Sequence, residues 1–172
     1  MIEVIEDKDF LSKKSKNFID EVLLGFDFPY YFNYNIDHPL VYLLHTFRKA
    51  PEERGSEPLD NSSRMKDMEL LFKEFCTKNF ISYKEILRCA VNLTSNVKRG
   101  KSDPHNDHDH PHKTLIIYLN NADGDTIILD KNNKVYKKVK PEKYKGLYFT
   151  YSKHYQYYPK EGTRAVAVYT FI

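Results

Sequence analysis

The chain has 172 residues, 41% of them hydrophobic and 30% charged, and a formal net charge of +3. That length fits one domain with a real core and no need of disulfide or metal staples, and the composition excludes disordered and fibrous classes. The Lys and Arg residues are spread along the chain, so the weak positive charge leaves no nucleic-acid footprint.

The N-terminal residues 1–9 are acidic and lack the basic-then-apolar pattern of a secretory signal. No apolar run approaches the ~20 residues needed to span a bilayer. The expectation is a soluble, cytoplasmic protein with no membrane partner. Cys76 and Cys89 sit in apolar segments without zinc-type spacing and read as buried free thiols.

In chain order, Ser12 is placed to cap a helix through Phe18, Ile19, Val22 and Leu23, with Gly25 as its stop. The aromatic stretch 28–34 and the apolar stretch 41–47 read as strands. Residues 49–63 collect Pro51, Gly55, Pro58, Asp60 and Asn61 and read as a polar loop. Met65, Met68, Leu71, Phe72 and Phe75 recur at helical spacing, which predicts an amphipathic helix over 63–78 with its Met and Phe stripe in the core.

From residue 86 the pattern changes to short strands. They fall at 86–94, 114–119, 126–129, 134–139, 146–150 and 165–171, with turns at 121–124 and 130–133. This cadence after an early helical layer predicts a mainly β fold with supporting helices, a jelly roll or double-stranded β-helix. One domain over 1–172 is expected, with 1–85 as a helical and strand support layer and 86–172 as core strands carrying the site.

The most informative segment is Pro104-His105-Asn106-Asp107-His108-Asp109-His110-Pro111-His112, which packs four of seven histidines into eight positions. It reads either as a loose chelating tract or as one specific pair, His105-x-Asp107. Residues two apart in extended chain point to the same side, so this imidazole and carboxylate can converge on one ion. With a second histidine they would leave three positions open, as suits iron(II) that binds a co-substrate and dioxygen. His38, His45 and His154 are the remaining candidates, and His154 lies within the strand-rich half. Ten residues further, Arg164 opens an apolar strand and aims a five-donor fork at the barrel interior. Such a buried fork implies a carboxylate, either protein or ligand.

Pro104-His105-x-Asp107, Thr114-Leu115-Ile116-Ile117-Tyr118-Leu119-Asn120, Asp123-Gly124-Asp125-Thr126, His154 and Arg164, in that order, resemble the 2-oxoglutarate and iron(II)-dependent dioxygenases. The likeness is to the prolyl-hydroxylase-like branch and its small phage and viral members, and it covers about half the chain, from Arg88 to Phe171. It implies His105, Asp107 and His154 as iron ligands and as the catalytic centre. It implies Arg164 as the anchor of the distal carboxylate of 2-oxoglutarate, assisted by the Tyr118 hydroxyl, with Asn92 a lesser pocket-facing candidate. His108, Asp109, His110 and His112 exceed what the iron site requires and are expected to form a polar loop rim.

The activity so implied is hydroxylation of a C–H bond with release of succinate and carbon dioxide. A peptidyl prolyl or similar side chain is the first expectation for the substrate, and a small molecule remains open. In departure from the family, the bulky run Tyr155-Gln156-Tyr157-Tyr158-Pro159 follows the distal histidine. A competing class is a non-catalytic jelly roll that binds divalent metal. A nucleic-acid module would need a contiguous basic face, and the run of lysines from Lys131 to Lys145 instead reads as a solvated hairpin.

Overall fold

The computed structural model describes residues 2–33, 42–51, 57–95 and 100–172. The first strand, β1 (Val4–Asp7), is followed by a helix that begins as α1 (Lys13–Asn17) and continues as a π-helical segment over Phe18–Leu23. Ser12 caps it, accepting the Ser15 N–H at 3.2 Å. At Gly25 a Cβ would lie 2.3 Å from the Glu21 carbonyl oxygen, so the stop needs glycine. Then come β2 (Tyr31–Asn33), β3 (Tyr42–Lys49), β4 (Leu59–Asp60) and α2 (Met65–Lys78). The second half supplies β5 (Ile86–Ser95), β6 (Lys113–Tyr118), β7 (Thr126–Leu129), β8 (Val135–Val139), β9 (Gly146–Thr150), β10 (His154–Gln156) and β11 (Thr163–Phe171).

Among the described residues these strands form two antiparallel sheets. The larger runs β1-β9-β6-β11-β5-β3-β2, with β4 beside β3, and the smaller runs β10-β7-β8. Isolated bridges Lys101↔Tyr157 and His105↔His154 lay the segment before β6 alongside β10 as a broken fourth strand. The chain therefore has the expected mainly β, jelly-roll architecture.

Period-two alternation sorts the large sheet into two cores. Leu115, Ile117, Ala167, Tyr169, Phe171, Cys89 and Val91 face outward onto Met68, Leu71, Phe72 and Phe75 of α2. Ile116, Tyr118, Leu147, Phe149, Val166 and Val168 face inward, toward Ile128 and Val139 of the small sheet. The Met and Phe stripe of α2 is thus core, as its spacing predicts. At Gly146 the helix and sheet approach so closely that a Cβ would stand 2.5 Å from two Phe75 ring carbons and 3.0 Å from Phe10. Overpacking of this kind typically costs about 1–3 kcal/mol. Gly146→Ala is expected to lose that much stability in urea unfolding.

Several local expectations need correction. The strand within 28–34 is confined to Tyr31–Asn33, while Phe28 and Tyr30 pack on the core instead. Residues 49–63 are not all loop, because Leu59–Asp60 pairs with β3. The helix over 63–78 begins at Met65. His38 lies outside the described residues, as do Tyr34, Val41 and part of the polar loop. β1 and β10 have no counterpart in the sequence reading. Cys76 and Cys89 are buried and free, and burial pushes the Cys76 thiol up to about 12. Among the described residues no helix is long and apolar enough to cross a membrane.

β1 is held at both faces of its end. Asp7 accepts from the Asp9 N–H at 2.8 Å, Lys78 Nζ at 3.0 Å and Asn79 Nδ2 at 3.0 Å. Burial would raise the Asp7 carboxyl, but these donors hold it below its ordinary value. A depressed carboxyl contributes stability that is present above its unfolded value of about 3.9. That contribution is lost as pH falls through the lower folded value. Asp7→Asn should therefore lower the urea midpoint at neutral pH, and the difference from wild type should shrink as the medium is acidified below that value.

The lysine run is not a free basic face. Lys145 is 2% exposed and its Nζ lies 3.2 Å from Glu6 and 3.1 Å from Glu142. Lys137, Lys138 and Lys143 pair with Glu6, Asp125 and Asp20, each at 3.0 Å.

Candidate active site

Between the two sheets opens a cavity of about 360 Å³ whose wall includes His105, Asp107, His154 and Arg164. His105 and His154 are brought face to face by their backbone bridge, with N–H···O distances of 3.0 and 2.9 Å. One ligand atom each from His105, Asp107 and His154 lies within 4.8 Å of the others. His154 Nε2 is 3.8 Å from Asp107 Oδ2.

Each histidine uses its other nitrogen on the backbone. His105 Nδ1 meets the Asp103 carbonyl at 2.9 Å, and His154 Nδ1 meets the Ser152 carbonyl at 3.3 Å. A carbonyl can only accept, so both Nδ1 atoms carry the proton and both Nε2 lone pairs are left for a cation. Burial works against the Asp107 anion, yet His154, His105, Arg88 and His112 together hold its carboxyl below the ordinary value. Burial pushes His154 down, against the pull of Asp107. The carboxylate is thus ionised and His154 neutral, the states in which they ligate metal. Thr114 Oγ1 donates to Asp107 Oδ2 at 3.3 Å and steadies it.

The rest of the histidine tract departs from expectation. Asp109 and His110 are exposed, but His108 and His112 are buried rather than forming a polar rim. His108 Nε2 sits 2.7 Å from Thr170 Oγ1. His112 bonds the His110 carbonyl through Nδ1 at 2.8 Å and brings Nε2 to 4.0 Å from Asp107.

Arg164 is 1% exposed. It leads the inward-facing row Arg164, Val166, Val168, Thr170 of β11, opposite Thr94 of β5. Its Nη1 donates to Gln156 Oε1 and its Nη2 to Thr126 Oγ1 at 2.9 Å. Its Nε is buried with no hydrogen-bond partner among the described residues. No ion pair to Arg164 is formed among the described residues; burial disfavours its charge and lowers its pKa, against the pull of Tyr118 and Asp125. A buried guanidinium answered only by neutral oxygens is unusual, because an uncompensated buried charge is costly.

Tyr118 is buried behind this group and does not line the cavity. Its hydroxyl donates to Thr126 Oγ1 at 2.7 Å, and the guanidinium lies 5.5 Å from its ring centre. Thr126 Oγ1 thus accepts twice, which leaves its own proton free to donate. Asn92 lines the cavity, and its Oδ1 is buried without a hydrogen-bond partner among the described residues.

Gln156 and Thr126 stand within stretches noted in the sequence, but their role as partners of Arg164 was not foreseen there. They are cross-strand partners, in register as Gln156↔Thr126 beside His154↔Ile128. The signal was the i, i+2 relation of Gln156 to His154, which puts both on the inner face about 6.6 Å apart along the strand.

No family model matches the sequence, and no curated protein matches it. Solved structures do match the fold. One is a 2OG-Fe(II) oxygenase family oxidoreductase from Burkholderia pseudomallei, with a TM-score of 0.75 and 12% identity over 99% of this chain and 84% of that one. Another is a prolyl hydroxylase from Trichoplax adhaerens in complex with a hypoxia inducible factor peptide fragment, with a TM-score of 0.64 and 17% identity over 98% and 83%. A third is a viral collagen prolyl hydroxylase from Paramecium Bursaria Chlorella virus-1, with a TM-score of 0.59 and 15% identity over 97% and 94%. The chain thus has the double-stranded β-helix fold of the 2-oxoglutarate and iron(II) oxygenases, with a His-Asp-His group and a buried arginine on the wall of one cavity.

Proposed function

We propose that this protein is an iron(II)- and 2-oxoglutarate-dependent dioxygenase that hydroxylates a C–H bond, with a peptidyl prolyl or similar side chain as substrate. The observation that carries the reading is the pairing, in one cavity, of a three-residue group able to hold a metal with a buried arginine that has no ion pair among the described residues. Either feature alone fits a simple metal-binding jelly roll. Together they call for an anion beside the metal.

The residues fit both groups. His105 Nε2, Asp107 and His154 Nε2 would hold iron(II) from one side and leave its cavity side open. Arg164 would meet the distal carboxylate of 2-oxoglutarate, with Thr126 as a second donor. Tyr118 would act through Thr126, because its hydroxyl is already committed there. The strand spacing from His154 to Gln156 suits a five-carbon diacid reaching from metal to arginine. When bound, iron and 2-oxoglutarate would supply the oxidising power for hydroxylation, consuming dioxygen and releasing succinate and carbon dioxide.

The chain's own part is to orient and to exclude water. Ile116, Val166 and Val168 present apolar walls to the cavity. Tyr42, Tyr158 and Arg88 also line the cavity and would add aromatic and cationic character to its contact with a peptide. The whole chain is read as one catalytic domain, with the elements before residue 86 bracing the strands that carry the site. The test is turnover of iron-loaded protein with 2-oxoglutarate and proline-containing peptides. Succinate release coupled to a one-oxygen mass gain on peptide is expected. Succinate release that is coupled only to a small-molecule acceptor would replace the peptide, and no release with any acceptor would overturn the reading.

A further inference from the structure

The two oxygens and the one ring that hold the Arg164 guanidinium are neutral, and one of these partners, Gln156, is only half-buried on the cavity wall. We infer that Gln156 is a placeholder that sets co-substrate affinity: its Oε1 occupies the place on Arg164 Nη1 that the distal carboxylate of a 2-oxo diacid takes on binding. This rests on the 2-oxoglutarate reading above.

The backbone of Gln156 is fixed while its side chain is not. Its N–H donates to Ser102 Oγ at 3.1 Å, and its carbonyl accepts the Ser102 N–H at 2.9 Å. The pairing with Thr126 locks the register of the strand. Among the described residues the side-chain amide makes no hydrogen bond other than that to Arg164, so rotation about its χ angles exchanges one staggered state for another. A bond between two ionised partners is roughly twice as strong as one to a neutral acceptor. An incoming carboxylate therefore outcompetes the amide oxygen, and the amide turns into the cavity.

The exchange has a measurable consequence. While Gln156 holds Arg164, the protein is not competent to bind, and apparent affinity falls in proportion to the competent fraction. Removing the amide should then tighten binding, whereas a residue that merely positioned Arg164 would weaken binding when removed. An ionised carboxylate at the same position would compete permanently.

Titration calorimetry of 2-oxoglutarate into the full chain loaded with Mn(II), which gives binding without turnover, tests this. Gln156→Ala is expected to bind about tenfold tighter than wild type, one charge-assisted hydrogen bond's worth of competition. Gln156→Val, which keeps a strand-compatible side chain, should follow alanine. Gln156→Glu should bind at least about a hundredfold more weakly. Unchanged or weaker binding in both Gln156→Ala and Gln156→Val would overturn the placeholder role, as would retained affinity in Gln156→Glu. Failure of the wild type to bind 2-oxoglutarate at all would overturn the functional reading itself, a distinct outcome.

Discussion

Asp107→Ala is expected to weaken divalent-metal binding by at least about a hundredfold while leaving the fold in place, since losing even a hydrogen-bond partner of a metal ligand costs about 10–100-fold. Asp107 is the only carboxylate of the triad, and without it two imidazoles alone face the cation. The side chain is not part of either hydrophobic core. Its removal leaves the Thr114 hydroxyl free to turn, and His105, His154 and the buried His112 each keep a backbone carbonyl. Competition with a chromophoric chelator would report the affinity, and thermal unfolding followed by circular dichroism would report the fold. Retention of wild-type metal affinity by this variant would place the metal elsewhere.

Arg164→Met should separate stability from function. Removing one side of a buried charge pair with a ligand costs about 2–5 kcal/mol of binding, from ~30-fold to several thousandfold. The ligand-free protein should not suffer in proportion. Arg164 has no ion pair among the described residues, its Nε is orphaned, and an apolar side chain of similar length avoids the desolvation penalty. Thr126 keeps the Tyr118 hydroxyl as a partner, and Gln156 can reach the cavity. At 2-oxoglutarate a hundred times its dissociation constant, wild type gains about 2.7 kcal/mol. For a chain of this length that is a rise in Tm of about 5–10 °C. The variant should show an unchanged or higher Tm without ligand and no rise with it. A large loss of ligand-free stability would mean that Arg164 is structural.

Much of this was legible in the sequence where the relevant physics is local. The 3.6 period of Met65 to Phe75 and the short apolar runs from residue 86 report faces that each element buries by itself. Strands 126–129 and 146–150 match to the residue. His105-x-Asp107 was legible because an i, i+2 pair in extended chain shares a side whatever surrounds it. β1 was not, since Val4–Asp7 has no pattern of its own and exists through pairing with β9 and the donors on Asp7. β10 was hidden for a similar reason, as three residues in an aromatic run become a strand only against β7. The same register makes Thr126 and Gln156 partners of Arg164, and register between distant segments is not written in either one. Tyr118 shows the limit of reasoning by position. It stands near the arginine as the resemblance implied, yet Thr126 comes between it and the cavity.

If one cavity holds iron and 2-oxoglutarate together, anaerobic reconstitution reveals it most directly. Adding iron(II) and then 2-oxoglutarate to the wild-type chain should produce the weak visible charge-transfer band of the iron chelate, and the band should vanish when His105 and Arg164 are both replaced by alanine. Absence of the band in wild type, or its survival in the double variant, would contradict the account.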